Sequence, residues 1–144
     1  MTPIKLVLKT KSVKTIYSVP PEISVFDAIQ LMCLKDISSL LITQDEKLLG
    51  IFTERDYIRK LILKGKHSND TSICEVMTAD PITVSPENTV DECMRLMTKN
   101  RIRHLPVLDQ DNLIGVISIG DLVHQVIDDQ NKKIGFLEDY IKHT

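Results

Sequence analysis

Two hydroxyl and carboxylate pairs stand at one spacing in this chain, Thr53-Glu54-Arg55-Asp56 and Ser118-Ile119-Gly120-Asp121. Each follows a short apolar run, Leu48-Leu49-Gly50-Ile51-Phe52 or Leu113-Ile114-Gly115-Val116-Ile117. The Ser/Thr-x-x-Asp spacing is that of a capping box, so each pair reads as a strand running into the first turn of a helix. A strand end that feeds a helix N-terminus leaves backbone N–H groups beside a carboxylate, and an ionised aspartate accepts several hydrogen bonds at once. The remaining reactive side chains form no comparable set. Cys33, Cys74 and Cys93 are odd in number, widely spaced and free of any Cys-x-x-Cys pair, so neither a disulfide framework nor a zinc site is indicated. They are expected to be reduced, with Cys33 and Cys93 in amphipathic helical patterns as small buried hydrophobes. His67, His104, His124 and His143 show no metal-ligand spacing, and no nucleophile, base and orienting group share a local arrangement.

Those junctions need a scaffold, and composition bounds it. With 144 residues, 42% hydrophobic and 26% charged, the chain suits one ordinary domain or two units of about 60 residues, each too small to stand alone. Three Phe, three Tyr, no Trp and a net charge of -2 disfavour nucleic-acid binding by stacking or by a basic field. Lys5, Lys9, Lys11 and Lys14 make residues 1–14 locally positive, and this stretch is expected to be a solvated basic arm. No apolar run approaches the ~20 residues that span a bilayer or forms a signal-peptide core, so the chain is read as cytoplasmic.

In chain order, Thr15-Ile16-Tyr17-Ser18-Val19 reads as a strand stopped by Pro20-Pro21, and Ser24 with Asp27 caps a helix whose apolar face is Val25, Ala28, Ile29 and Met32. Ser39 to Thr43 and Leu48 to Thr53 form a hairpin around Gln44-Asp45-Glu46-Lys47, followed by a helix from Glu54 to about Leu63 that Gly65 ends. Ser72 and Glu75 form another capping box. Then the pattern restarts: Ile82-Thr83-Val84 as a strand, Thr89 and Glu92 capping a helix with Val90, Cys93, Met94 and Met97 inward, and His104 to Leu108 with Leu113 to Ser118 as a hairpin. At an offset of 65, residues 19–58 and 84–123 share 11 identities in 40 positions. The domains are therefore 1–14 as an arm, 15–64 as the first repeat, 65–79 as a connection, 80–128 as the second repeat and 129–144 as a C-terminal amphipathic helix carrying Ile134, Leu137 and Ile141.

These residues resemble a cystathionine β-synthase (CBS) domain written twice, a stand-alone tandem pair of the kind called a Bateman module. The resemblance rests on Gly50-Ile51-Phe52-Thr53-Glu54-Arg55-Asp56, on Arg103-His104-Leu105-Pro106-Val107-Leu108-Asp109 and on Gly115-Val116-Ile117-Ser118-Ile119-Gly120-Asp121. It implies an α/β (α+β) fold of two β-α-β-β-α repeats packed about a pseudo-twofold axis, with clefts that take AMP, ADP, ATP or S-adenosylmethionine. It also implies a regulatory, non-enzymatic role, a homodimer and an effector partner; composition and the lack of a long apolar run speak against nucleic acid and membrane as partners. A constitutive interaction scaffold is the rival reading.

Carried over residue by residue, Thr53 with Asp56 and Ser118 with Asp121 stand where the family binds ribose, although a cap alone explains their spacing. Arg103 and His104 match phosphate-contacting positions, where the first repeat has the uncharged Ser38 and Ser39. Arg55 is either a further phosphate contact or a solvated charge. Tyr17 and Ser18, with Ile82 and Thr83, match the strands whose backbone reads the base edge. Pro106 is either a wall of the base pocket or a proline opening an edge strand.

Overall fold

The structure, a computed structural model, describes residues 1–11 and 14–143. Its elements are α1 (Ile4–Thr10), β1 (Ser18–Val19), α2 (Val25–Lys35), β2 (Ser39–Gln44), β3 (Lys47–Thr53), α3 (Glu54–Asp56) running into a π-helical turn (Tyr57–Ile62), α4 (Ile73–Val76), β4 (Thr78–Ala79), α5 (Val90–Asn100), β5 (His104–Asp109), β6 (Asn112–Ser118) and α6 (Ile119–Lys142). The expected helix caps form: Ser24 accepts from the Asp27 N–H and Thr89 from the Glu92 N–H. Both hairpins close more tightly than the four-residue polar stretches suggest. Asp45-Glu46 and Gln110-Asp111 form the loops with φ of 51°, 66°, 49° and 67°. Two positive φ values in succession are what a right-twisted two-residue hairpin requires.

The chain divides into two compact units. One comprises Thr15–Thr83 and Leu108–Ile114; the other comprises Met1–Lys14, Val84–Val107 and Gly115–Thr144. In the first unit β1, β2, β3 and β4 form one sheet, with β1 parallel to β2 and β4 antiparallel to β3. Its core is Val19, Val25, Ala28, Met32, Leu40, Ile42, Phe52, Leu61, Ile73 and Val76. β5 and β6 pair as a two-stranded sheet; in the second unit Val84 bridges Val107 in parallel, and the core is Ile4, Val7, Val84, Val90, Cys93, Met97, Leu105, Val107, Ile117 and Leu122. Seven of these positions correspond at offset 65, from Val19 with Val84 to Phe52 with Ile117, so one burial pattern is written twice.

Residues 1–14 are not a solvated arm. α1 buries Ile4 and Val7 in the core of the second repeat, and only Ser12 and Val13 of the stretch lie outside the described residues. The physical reason is a pattern that composition hides. Thr2, Ile4 and Val7 repeat Thr71, Ile73 and Val76 at an offset of 69 rather than 65. The backbone repeats with them: Val90 N–H donates to the Thr2 carbonyl and Val25 N–H to that of Thr71, both at 2.9 Å. Ile4 N–H reaches the Asn88 carbonyl and Ile73 N–H that of Ile23, both at 2.8 Å. Each unit is thus completed by a short helix at the N-terminal cap of its longer one.

Other expectations are corrected in detail. Cys33 is exposed, because the buried stripe of α2 runs through Val25, Ala28 and Met32 and leaves the next residue about 100° round the helix. Cys93 is buried as expected. The C-terminal stretch is helical to Lys142 and continuous with the last helix of the second repeat: α6 runs unbroken through Asp129, and Thr144 lies outside the described residues. In the first repeat the π-helical turn changes the winding, so Leu61 becomes the buried residue there while Leu122 is buried in the second.

Candidate functional site

In the second repeat, β6 ends at Ser118 in extended geometry and the chain turns at once into α6. Ser118 Oγ accepts the Asp121 N–H at 3.1 Å, and Asp121 Oδ2 accepts the Ser118 N–H at 2.9 Å, a complete capping box. Lys11, arriving from the segment after α1, places Nζ 2.9 Å from the same Oδ2 and donates to the Val116 carbonyl at 2.8 Å. The Ile119 N–H donates to the Arg103 carbonyl at 2.8 Å, which ties the start of β5 to the start of α6. His104 is half-buried beside this group, and burial pushes its pKa below the ordinary 6.5. Asp121 acts in the opposite sense, while Lys11 and Arg103 add to the lowering. Ser118, Asp121, Arg103 and His104 therefore share one neighbourhood with Lys11. Pro106 does not open its strand: it is buried within β5, and its carbonyl accepts the Val84 N–H at 3.1 Å.

The first repeat builds the same junction with different partners. Asp56 Oδ2 accepts the Thr53 N–H at 3.0 Å, and Oδ1 accepts Thr78 Oγ1 at 3.0 Å with Lys60 Nζ at 3.2 Å. Lys60 also donates to the Met77 carbonyl and to Thr78 Oγ1, both at 3.2 Å. Asp56 is buried and has donors on both oxygens, whereas the Ser118 N–H and Lys11 Nζ converge on Oδ2 of Asp121. Arg55 is exposed in the first helical turn. Tyr17 is half-buried under the Lys35 ammonium, 5.7 Å from its ring centre, and Ser18 is exposed on β1. Ile82 is exposed and Thr83 half-buried, immediately before the Val84 bridge.

Three residues of these networks, Lys11, Lys60 and Thr78, were not singled out from the sequence. Lys60 was legible, since it lies four residues after Asp56 on one helix face. The second repeat has Gln125 there, and Lys11 supplies the cation from far away in the chain. Nothing local signals that substitution.

A model of the CBS domain matches residues 11–63 and 73–128, which covers both junctions and most of both cores. The chain belongs to the CBS domain family. It holds two CBS domains in tandem. It is 40% identical over 124 residues to the mitochondrial CBS domain-containing protein CBSX3 of Arabidopsis thaliana, covering 83% of this chain but only 60% of that protein's length. A protein with CBS domains from Burkholderia ambifaria MC40-6 is 50% identical, with a TM-score of 0.85 over 90% of this chain and 96% of the other. The CBS domain pair of protein MJ0100, solved in complex with 5′-methylthioadenosine and S-adenosyl-L-methionine, is 27% identical, with a TM-score of 0.75 over 87% of this chain and 99% of the other. These neighbours bear out the α/β fold expected from the resemblance. Among the described residues no helix is long and apolar enough to cross a membrane.

Proposed function

We propose that this tandem CBS protein is a non-enzymatic regulatory sensor that binds an adenine nucleotide, AMP, ADP or ATP, at the β6–α6 junction. The observation that carries the reading is the Asp121 carboxylate capped by Ser118 and flanked by Lys11, His104 and Arg103. We assign its second oxygen to the ribose hydroxyls, as an ionised carboxylate accepts several hydrogen bonds, and the cationic neighbours suit a phosphate. By the family's pattern, Tyr17 and Ser18 for the first repeat and Ile82 and Thr83 for the second are the proposed base-edge readers, and Pro106 the proposed wall of a base pocket. The junction of Thr53 and Asp56, with Arg55 beside it, is the secondary site, because its carboxylate is already served on both oxygens.

S-adenosylmethionine is the second reading. It is favoured by the MJ0100 complex and by Ser38 and Ser39, which give the first repeat no basic pair where the second has Arg103 and His104. Mass spectrometry of small molecules released on denaturing the purified protein separates the two. An adenosine phosphate supports the proposal, a sulfonium ligand supports the second reading, and release of neither from protein that also fails to bind added AMP rejects both. Incubation with ATP should yield no phosphate that follows the protein through purification. The exposed pairs Ile58 with Ile62 and Val123 with Ile127 support a homodimer, through which ligand binding would reach an effector. Light scattering at tens of micromolar that returned a monomer, with and without AMP, would remove that element.

A further inference from the structure

From Gln130 to Lys142 every residue of α6 except Gly135 is exposed, yet the segment carries Ile134, Leu137 and Ile141, each more than half exposed. A helical stretch of this length gains little from propensity alone and draws its stability from burying a face. Val123, Ile127, Gln130, Ile134, Leu137 and Ile141 follow one another at intervals of 4, 3, 4, 3 and 4. That is an unbroken heptad seam, with Ile127, Ile134 and Ile141 at its a positions and Val123, Gln130 and Leu137 at d. Leu122 and Gln125, which α6 buries against its own unit, and Asp129, which bonds Thr2 and Gln125, sit at c and f, on a different flank of the helix. The seam can therefore be covered without lifting α6 from its own core.

We propose that this seam is the interface of a parallel, in-register two-stranded coiled coil between two copies of this chain. Three features select that occupant. Isoleucine at all three a positions, with leucine at one of the three d positions, favours a parallel dimer. Lys133 falls at g and Glu138 at the e position five residues on, so in-register parallel pairing sets Lys133 of each copy beside Glu138 of the other, twice by symmetry. Antiparallel pairing instead sets g against g and e against e, where Lys133 meets lysine, Val126 or Tyr140 and Glu138 meets glutamate, Asn131 or His124, so that no lysine–glutamate pair forms. Gln130 at d would face its own copy across the axis, where an amide both donates and accepts and so fixes register. The inference deepens the homodimer reading by naming its surface.

The test uses the full chain with the exposed cysteines replaced, Cys33→Ser and Cys74→Ser. In that background Leu137→Cys, on the seam, should oxidise to a covalent dimer at least about tenfold faster than Phe136→Cys, its exposed neighbour at position c, because only the seam holds identical residues within disulfide reach. Lys133→Glu should weaken the dimer about fivefold, and Lys133→Glu with Glu138→Lys should restore it. Equal crosslinking rates, absence of crosslinking, or failure of the double exchange to restore association would overturn the coiled coil. A dimer by light scattering that nonetheless failed to crosslink at Leu137→Cys would leave self-association standing and reject this surface for it. All four positions are exposed in the protomer, so unchanged circular dichroism at high dilution excludes misfolding as the cause.

Discussion

At the scale of single residues, Asp56 and Asp121 look interchangeable in the sequence and differ in their surroundings. Asp56 is held by Thr53, Thr78 and Lys60 on both oxygens, while Asp121 turns one oxygen to Ser118 and Lys11 together. We expect AMP to raise the melting temperature of the parent protein and of Asp56→Asn, and to raise that of Asp121→Asn much less. Losing carboxylate hydrogen bonds of this kind costs about 1.5 to 3 kcal/mol, or roughly ten- to hundredfold in affinity. Equal shifts in all three proteins would make Asp121 a cap alone; a loss confined to Asp56→Asn would reverse the ranking of the sites. His104 supplies a pH test. Burial holds its folded pKa below the ordinary 6.5, so the unfolded chain binds the proton more strongly and stability falls as pH drops below about 6.5. A His104→Gln protein should lose less thermal stability than the parent between pH 7.5 and 5.5, and parallel pH profiles would contradict this. The buried Cys93 thiol is pushed up to about 11, first by burial and then by Glu92, which suits a core residue and not a nucleophile.

At the scale of elements, each hairpin carries a glycine where another segment crosses it. A Cβ on Gly50 would lie 2.7 Å from the Thr78 carbonyl oxygen of β4, whereas one on Gly115 would meet Leu8 Cδ2 of α1 at 2.7 Å. The first obstacle is backbone paired to β3 at Gly50 and Ala79; the second is the end of a flexible side chain. Gly50→Ala should therefore destabilise by about 1 to 3 kcal/mol and Gly115→Ala by clearly less, as read from urea midpoints at constant slope. Equal costs would mean that β4 yields as readily as a leucine rotamer. The repeated glycine was legible in the sequence, and so were the caps at Ser24, Thr53, Thr89 and Ser118. The π-helical turn after Asp56 was not, since Tyr57 to Ile62 carries apolar residues that fit ordinary helical spacing equally well.

At the scale of the whole molecule, each repeat is finished by a lead-in segment, and the one that finishes the second repeat lies at the far end of the chain. Ile4 is fully buried in that repeat's core, so Ile4→Ala should cost about 2 to 5 kcal/mol, much as Ile73→Ala should in the other unit. A solvated arm would tolerate Ile4→Ala within about 0.5 kcal/mol, and an urea titration distinguishes these outcomes.

The residues of the chain determined by themselves that a strand-helix-hairpin-helix unit is written twice, where its helices start and which hydroxyl and carboxylate stand at each junction. These follow from periodicity and capping, which act over three or four residues. Only the tertiary structure decided that Thr2 to Val7 repeats Thr71 to Val76, because the spacing to the rest of the repeat shifts from 65 to 69 and breaks the gap-free register. It also decided that Lys11 is the cation at Asp121, whereas the pairing of Lys60 with Asp56 is within reach of the sequence. Lys60 shares a helix face with its carboxylate. Lys11 reaches Asp121 across more than a hundred residues, and no local pattern encodes a contact made by packing alone.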